Sequence, residues 1–494
     1  MTKISDSNQT ASGVSNRNLS TSSNSIENQC SVFPIGEIIQ VTGNNKVSFS
    51  PTKFIAFLQH KGIRKVKVGI EFELVLVCDY VVSVITTSEV KDLVLRSIRS
   101  LGDDTITDYV LNKTKLFSMK YLDAVETVSL KMHRDTPKAS YFYFRNGVVK
   151  VTADGIEEAI PYIDFKRLIW KEHILDREYN PAIDIADSSP VFENFLTKLS
   201  NHEEDRFLRI CTVIGFCLYD YKTSATARAV VINDERISSS PDGGSGKSLI
   251  VDALSKIRKT VYYDGKNFDP TAVFAWQKIN ESIRLVCIDD AKRGFNFEGL
   301  FSIITSGFRN IHKKKKDEVE LSVEDSPTII ITTNNILKGG SGSFSRRQHQ
   351  IEVAQYFNKN HTPLDEYGNP FFSGWDMQEW QKFDVFMLTC VQMFLKHGVT
   401  ECNETNAQQK QLIRNTNQSF AEWMEDNLEL MTAPLGVGTV EMRDRYLNET
   451  NQKNITLSER KFTDYLKAYC EIYPCRYEAL KGRPRGFRLI TTEE

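Results

Sequence analysis

Hydrophobic and polar positions change rhythm several times along the 494 residues. Residues 1–32 are rich in Ser, Asn and Thr with little to bury, and are expected to form a disordered tail. From Val66 to Val77 the chain alternates and then turns fully apolar, which predicts a half-buried strand. Lys91–Leu101 and Val110–Val125 read as helices. Tyr141–Thr152 is dense in β-formers around Asn146-Gly147, a two-residue hairpin turn. Residues 204–220 carry a helical pattern. From about 229 to 357, strand-length apolar runs alternate with helical stretches, the signature of an open α/β sheet covered by helices. Within it, Leu300–Lys316 looks helix-like and runs into a basic cluster, and Pro327–Asn335 is a fully apolar strand with a polar end. Such a strand is buried on both faces of a parallel sheet. Glu401–Gln418 is polar, a linker or exposed helix, and residues 419–494 hold helices and a basic, glycine-bearing hairpin-like end.

Length suggests about three domains. A hydrophobic content of 40 % and a charged content of 26 % are ordinary for a globular chain. The formal net charge of −2 excludes a globally basic nucleic-acid binder, yet leaves room for local basic patches. Nine cysteines are scattered without a C-x-x-C pair or zinc spacing, which reads as reduced thiols in an intracellular protein. No run of about 18 apolar residues exists and the N-terminus lacks a basic-then-apolar pattern, so no membrane partner is expected.

The densest chemistry lies in Ser240-Pro-Asp-Gly-Gly-Ser-Gly-Lys-Ser248. Gly243, Gly244 and Gly246, with Ser245 between, would let backbone N–H groups approach phosphate oxygens. Lys247 would reach the β/γ-phosphates, and the Ser248 hydroxyl would ligate Mg²⁺. Position 241 is proline where the full pattern has glycine, so only the shorter Gly-x-Gly-Lys-Ser core is intact. The helical run Leu249–Leu254 follows, as a phosphate loop at a helix N-terminus requires. Some forty residues on, Val286-Cys-Ile-Asp-Asp290 is an apolar strand ending in two carboxylates, one to hold Mg²⁺ and one to orient a water. Asn334 ends the later apolar strand, beside the expected γ-phosphate. Arg346 and Arg347 follow a glycine-rich loop, where an arginine could reach a neighbouring subunit's nucleotide.

The order of phosphate loop, acidic pair, basic segment, Asn-ended strand and arginine pair resembles superfamily 3 helicases. It is most similar to the phage and plasmid primase-helicase group with a poxvirus-type helicase core. The resemblance implies an α/β AAA+ P-loop ATPase core between an α+β N-terminal domain and a C-terminal winged-helix domain. The expected boundaries are 1–32 for the tail, 33–200, 201–400 for the ATPase, and 401–494 for linker and winged helix. It implies ATP and Mg²⁺ as cofactors, with Lys247 and Ser248 in the first motif, Asp289 on Mg²⁺ and Asp290 activating water. Asn334 would be the sensor, and Arg346 or Arg347 the trans-acting finger. His312, Lys313, Lys314, Lys315 and Lys316 would form a hairpin tip that touches single-stranded DNA in a central channel.

Upstream, Tyr143–Thr152 looks like a strand pair of the same group. Leu457–Leu466 followed by Lys481, Arg483 and Arg485 looks like a winged helix with a basic wing. The implied activity is an ATP-dependent DNA helicase of a phage or mobile element, a homo-oligomeric ring expected as a hexamer on single-stranded and forked DNA in a bacterial host cytoplasm. Two other readings remain open: an ATP-gated initiator or loader, and a bifunctional primase-helicase. Residues 33–130 show no recognisable catalytic carboxylate pair for the latter.

Overall fold

The computed structural model describes residues 38–42, 46–68, 71–181, 189–235, 244–313, 316–335, 337, 346–402, 407–451, 456–480 and 485–491. The expected tail, Pro241, Gly243, Lys314, Lys315, Lys481 and Arg483 lie outside them.

Five strands between residues 229 and 353 pair in parallel: β1 (Ala229–Asp234), β2 (Thr260–Asp264), β3 (Leu285–Asp289), β4 (Thr328–Thr333) and β5 (Gln348–Val353). Their order across the sheet is β2-β3-β4-β1-β5, so β4 is inserted between the strand that leads into Gly244–Ser248 and the strand that ends in Asp289. Successive side chains leave a strand on opposite faces, and this sheet buries both. Val230, Ile232, Leu285, Cys287, Ile330 and Ile351 join one core, while Ala229, Val231, Val286, Ile288, Ile329 and Ile331 join another. That two-sided burial is why the strands read as continuous apolar runs.

On the first face pack α1 (Glu204–Leu218), α2 (Lys247–Ser255) and α3 (Met377–His397). The same core takes in Phe142, Phe144, Phe192 and Phe195 from upstream. The second face is covered by Trp276, Ile279, Phe297, Leu300 and Ile304, and by the base of a hairpin.

That hairpin corrects the helical reading of Leu300–Lys316. A short helix ends at Ser306, Gly307 turns the chain with φ 78°, and Phe308–Lys313 pairs antiparallel with Lys316–Leu321. Phe308, Ile311 and Leu321 are drawn into the second core, so tertiary burial overrides the local helical pattern.

Val66–Val77 is likewise two strands of an antiparallel pair, Ile63–Val68 and Glu71–Cys78. The helix expected over Val110–Val125 stops at Asn112 and gives way to single turns at Thr114–Phe117 and Met119–Leu122. Asn146-Gly147 does turn a hairpin between Ala139–Phe144 and Gly147–Thr152. The polar 401–418 stretch contains a helix, Ala407–Asn415, whose Lys410 and Leu412 are buried. Beyond it, helices Gln418–Met431, Thr439–Glu449 and Glu459–Ile472 share a core with an antiparallel sheet of Val437–Gly438, Gly486–Thr491 and Cys475–Leu480. No helix among the described residues is long and apolar enough to cross a membrane.

Candidate functional site

The carboxyl ends of β3 and β4 and the start of α2 open onto one cavity of about 430 Å³. Gly244, Ser245, Gly246, Lys247, Ser248, Asp289, Asp290, Thr332 and Asn334 line it, joined by Thr362 and Pro363. In open α/β sheets this edge is where ligands bind. Residues from four separated stretches of sequence therefore meet at one place, and eight of the residues singled out from the sequence are among them.

The loop before α2 has the backbone its glycines suggest. Gly244 and Gly246 have φ of 79° and 96°, in the left-handed region that L side chains rarely occupy. At Gly246 a Cβ would also lie 2.8 Å from Phe195, so the loop is pressed onto the helix Val191–Leu199. Lys247 is the first residue of α2 and is 8 % exposed. Its ammonium donates to Asp234 Oδ1 and Oδ2 at 2.8 and 2.7 Å, to Ser245 Oγ at 2.8 Å and to Asn334 Oδ1 at 2.5 Å.

The two acids of the pair have different surroundings. Asp289 Oδ1 accepts from Thr332 Oγ1 at 2.6 Å and lies 3.4 Å from Ser248 Oγ. Asp290 has φ 54°, an uncommon conformation for a residue with a Cβ, and its N–H donates to Thr332 Oγ1 at 2.8 Å. The turn swings the Asp290 carboxylate away from Asp289 and onto Lys266 Nζ at 2.8 Å. That hydrogen bond, and the charge behind it, raise the Lys266 pKa.

Sequence reasoning missed Asp234, Thr332, Lys266, Thr362 and Pro363. Asp234 had a readable signal, since an apolar strand ending in an acid is the pattern that flagged Asp289. Thr332 interrupts an isoleucine run with a hydroxyl, also legible. Nothing local marks Lys266, which reaches the site only because β2 lies beside β3.

The remaining candidates lie elsewhere. Arg346 and Arg347 immediately precede β5 at the amino end of the sheet, where the Arg347 carbonyl accepts from Ala229 N. They are roughly 20 Å along the strand direction from the cavity, at about 3.3 Å per residue. Arg347 stacks on Phe301, with its guanidinium carbon 4.7 Å from the ring centroid, whereas Arg346 is exposed. His312 sits near the end of the Phe308–Lys313 strand, 2.9 Å from Glu318 on the return strand. Arg485 lines a separate groove of about 820 Å³ with Arg460, Asp464 and Lys467.

No family model matches the chain, and no curated protein does. Among solved structures it is similar to the A-form apo structure of the NrS-1 C-terminal region. The TM-score is 0.38 at 15 % identity, over 90 % of this chain and 100 % of that one. A second apo structure of the same NrS-1 region gives a TM-score of 0.37 at 15 % identity, over 89 % and 99 % of the two chains.

Proposed function

We propose that the chain is an ATP-driven DNA helicase of the superfamily 3 type, working as a ring of like subunits. The observation that carries this is the convergence of Lys247, Ser248, Asp289 and Asn334 on one cavity at the carboxyl ends of parallel strands. The cavity volume is within the range of small-ligand sites, about 300–1,000 Å³.

In this reading the N–H groups of the Gly244–Lys247 turn and the N-terminus of α2 receive the phosphates. Lys247 Nζ binds the β/γ oxygens. Ser248 Oγ and the Asp289 carboxylate are hard oxygen donors of the kind Mg²⁺ takes alongside phosphates and waters, and the ion would neutralise charge on the transferred group. Thr332 fixes the Asp289 carboxylate for that task. Asp290 would take a proton from water, and Asn334 would orient that water. Arg346, exposed at the opposite end of the sheet, serves the cavity of a neighbouring subunit rather than its own.

The hairpin supports the DNA-moving part. Its strands are anchored in the core by Phe308, Ile311 and Leu321, and His312 and the lysine run 313–316 lie between these anchors in the sequence. An anchored hairpin with a basic stretch suits contacts to phosphates that are salt-sensitive and tolerant of sequence. We read the helices Thr439–Glu449 and Glu459–Ile472, with the strands that pack on them, as a winged helix whose basic residues in the sequence are Lys481, Arg483 and Arg485.

Fork unwinding with ATP and with a non-hydrolysable analogue tests this directly. Wild-type chain should displace a strand only with ATP. Lys247→Ala should lose turnover and unwinding, and Asp290→Asn should bind nucleotide yet hydrolyse poorly. Normal ATPase rates in both variants would remove the site assignment. DNA retention without strand displacement would instead favour an initiator or loader.

A further inference from the structure

We infer that Asp234 is a specificity-determining counterion of the nucleotide site, a carboxylate that occupies the ammonium of Lys247 until a polyphosphate displaces it. This rests on the reading of the cavity as a nucleotide site, and adds a residue that belongs to none of the motifs described above.

The argument is one of donor counting. A lysine ammonium has three N–H donors and no acceptor. Lys247 Nζ lies 2.5–2.8 Å from four oxygens: both of Asp234, Ser245 Oγ and Asn334 Oδ1. Its donors are therefore saturated, and a phosphate oxygen can bond to Nζ only by replacing one of these partners. Ser245 and Asn334 are neutral and can share the ammonium with an anion. Asp234 carries a full charge, and a carboxylate beside a phosphate on one ammonium is a like-charge pair in a poorly solvated place. Asp234 is thus the partner that nucleotide binding weakens most.

The same contact explains why such a competitor is kept. The side chains of Lys247 and Asp234 are only 9 % and 14 % exposed. A cation held that deep without a counterion is costly, and breaking such a pair destabilises a fold strongly. Asp234 neutralises Lys247 in the free state and fixes its side chain where the phosphates will arrive. A ligand must then bring more negative charge than one carboxylate to take over, which favours nucleoside triphosphates over monoanions.

The test compares full-length wild type with Asp234→Asn, measuring affinity for a non-hydrolysable Mg-ATP analogue and melting temperature with and without it. Asp234→Asn should bind the analogue tighter, on the order of tenfold, a coupling of ordinary size for two competing interactions. Its free form should melt lower than wild type, and saturating analogue should close most of that gap. An equal melting deficit with and without analogue, at unchanged affinity, would make Asp234 a structural anchor and overturn the inference. Weaker binding would overturn it too, by making Asp234 part of the ligand's own shell. Should Asp234→Asn fail to fold, Asp234→Glu, which keeps the charge but moves it by one methylene, should shift affinity in the same direction by less. No binding by wild type would remove the site reading and this inference together, whereas wild-type binding with an unchanged variant removes the inference alone.

Discussion

The two ends of the central sheet treat charge in opposite ways. At the carboxyl end, Lys247, Asp289 and Asp290 face a cavity, and their hydrogen bonds come from groups that a ligand can displace or join. At the amino end, ions are buried and paired off. Arg258 lies against Asp135 at 3.4 Å and donates to the carbonyls of Leu218 and Tyr141, while Arg284 meets Asp220 at 3.1 Å. Burial opposes the charge of Asp220, but Arg284, with Lys222 and Arg258 behind it, holds its carboxyl below the usual range. Burial lowers Lys222 to about 8. These ions tie Asp135–Tyr141 and Asp220 to the segments that lead into β2 and β3. The difference teaches that strongly perturbed charge alone does not mark a site. In this molecule the larger perturbations lie among paired ions in the fold's interior, and the candidate site is recognised by its cavity and by groups that converge on it.

The most forceful way to break the comparison is through the arginines that share the amino end with the paired ions. If Arg346 serves a neighbour's cavity, Arg346→Ala should cost about 10³-fold in turnover, as for other arginine fingers. Nucleotide affinity of the isolated subunit should hardly change. Mixing Arg346→Ala subunits with Lys247→Ala subunits should recover part of the ATPase rate, because one kind of mixed interface is intact. Arg347, stacked on Phe301, should lose stability rather than turnover when changed to alanine. Rings that form but never complement would show that this end is structural throughout.

A second variant sharpens the contrast from the other side. Arg258→Met keeps an unbranched apolar stem, removes the guanidinium that lies 4.2 Å from the Phe142 ring, and leaves Asp135 without its cation, though still accepting from Ser140, Tyr141 and Asp220. Leaving one partner of a buried pair alone should destabilise the chain by about 3–5 kcal/mol. Nucleotide affinity of the folded fraction should be unchanged, measured under conditions where both proteins are folded. A loss of affinity at unchanged urea midpoint would mean that the amino end reaches the cavity after all.

How much of this was legible beforehand follows the same division. The parallel sheet showed through because strands buried on both faces are apolar without interruption, as in Val286–Ile288 and Ile329–Ile331. Most of the cavity's residues were readable because loop, acid pair and Asn each end a strand or begin a helix. The Asp135–Arg258 and Asp220–Arg284 pairs were not, since their partners are separated by 123 and 64 residues and only the fold brings them together. The hairpin after Gly307 was implied by the family resemblance but not by the local pattern: Phe308 and Ile311 have helical spacing, and what selects a strand is the core that receives them.

The smallest expected effect concerns pH, and it again separates the ends. His173 donates Nε2–H to the Ser282 carbonyl at 2.9 Å, and its ring stacks on Tyr143 with centroids 6.5 Å apart. Burial, followed by the nearby Arg284 and Arg258, pushes its pKa down to about 3, against the hydrogen bond to Ser282 and the weaker pull of Asp220. The folded chain therefore keeps His173 neutral while the unfolded chain, with an ordinary pKa near 6.5, takes up a proton as pH falls. Because the unfolded state binds more protons below about pH 6.5, stability is lost on acidification from that point towards pH 3. The slope from this one ring is at most about 1.4 kcal/mol per pH unit, and less to the extent that water reaches it. His173→Gln, which can still donate to Ser282, should have a urea midpoint that falls less between pH 7.5 and 5.5 than wild type. His133 and His349 are lowered as well, each to about 4, so the variant should flatten the slope without abolishing it. Identical slopes in the two proteins would mean that His173 is protonated in the folded chain, and that the amino end is wetter than its paired ions imply.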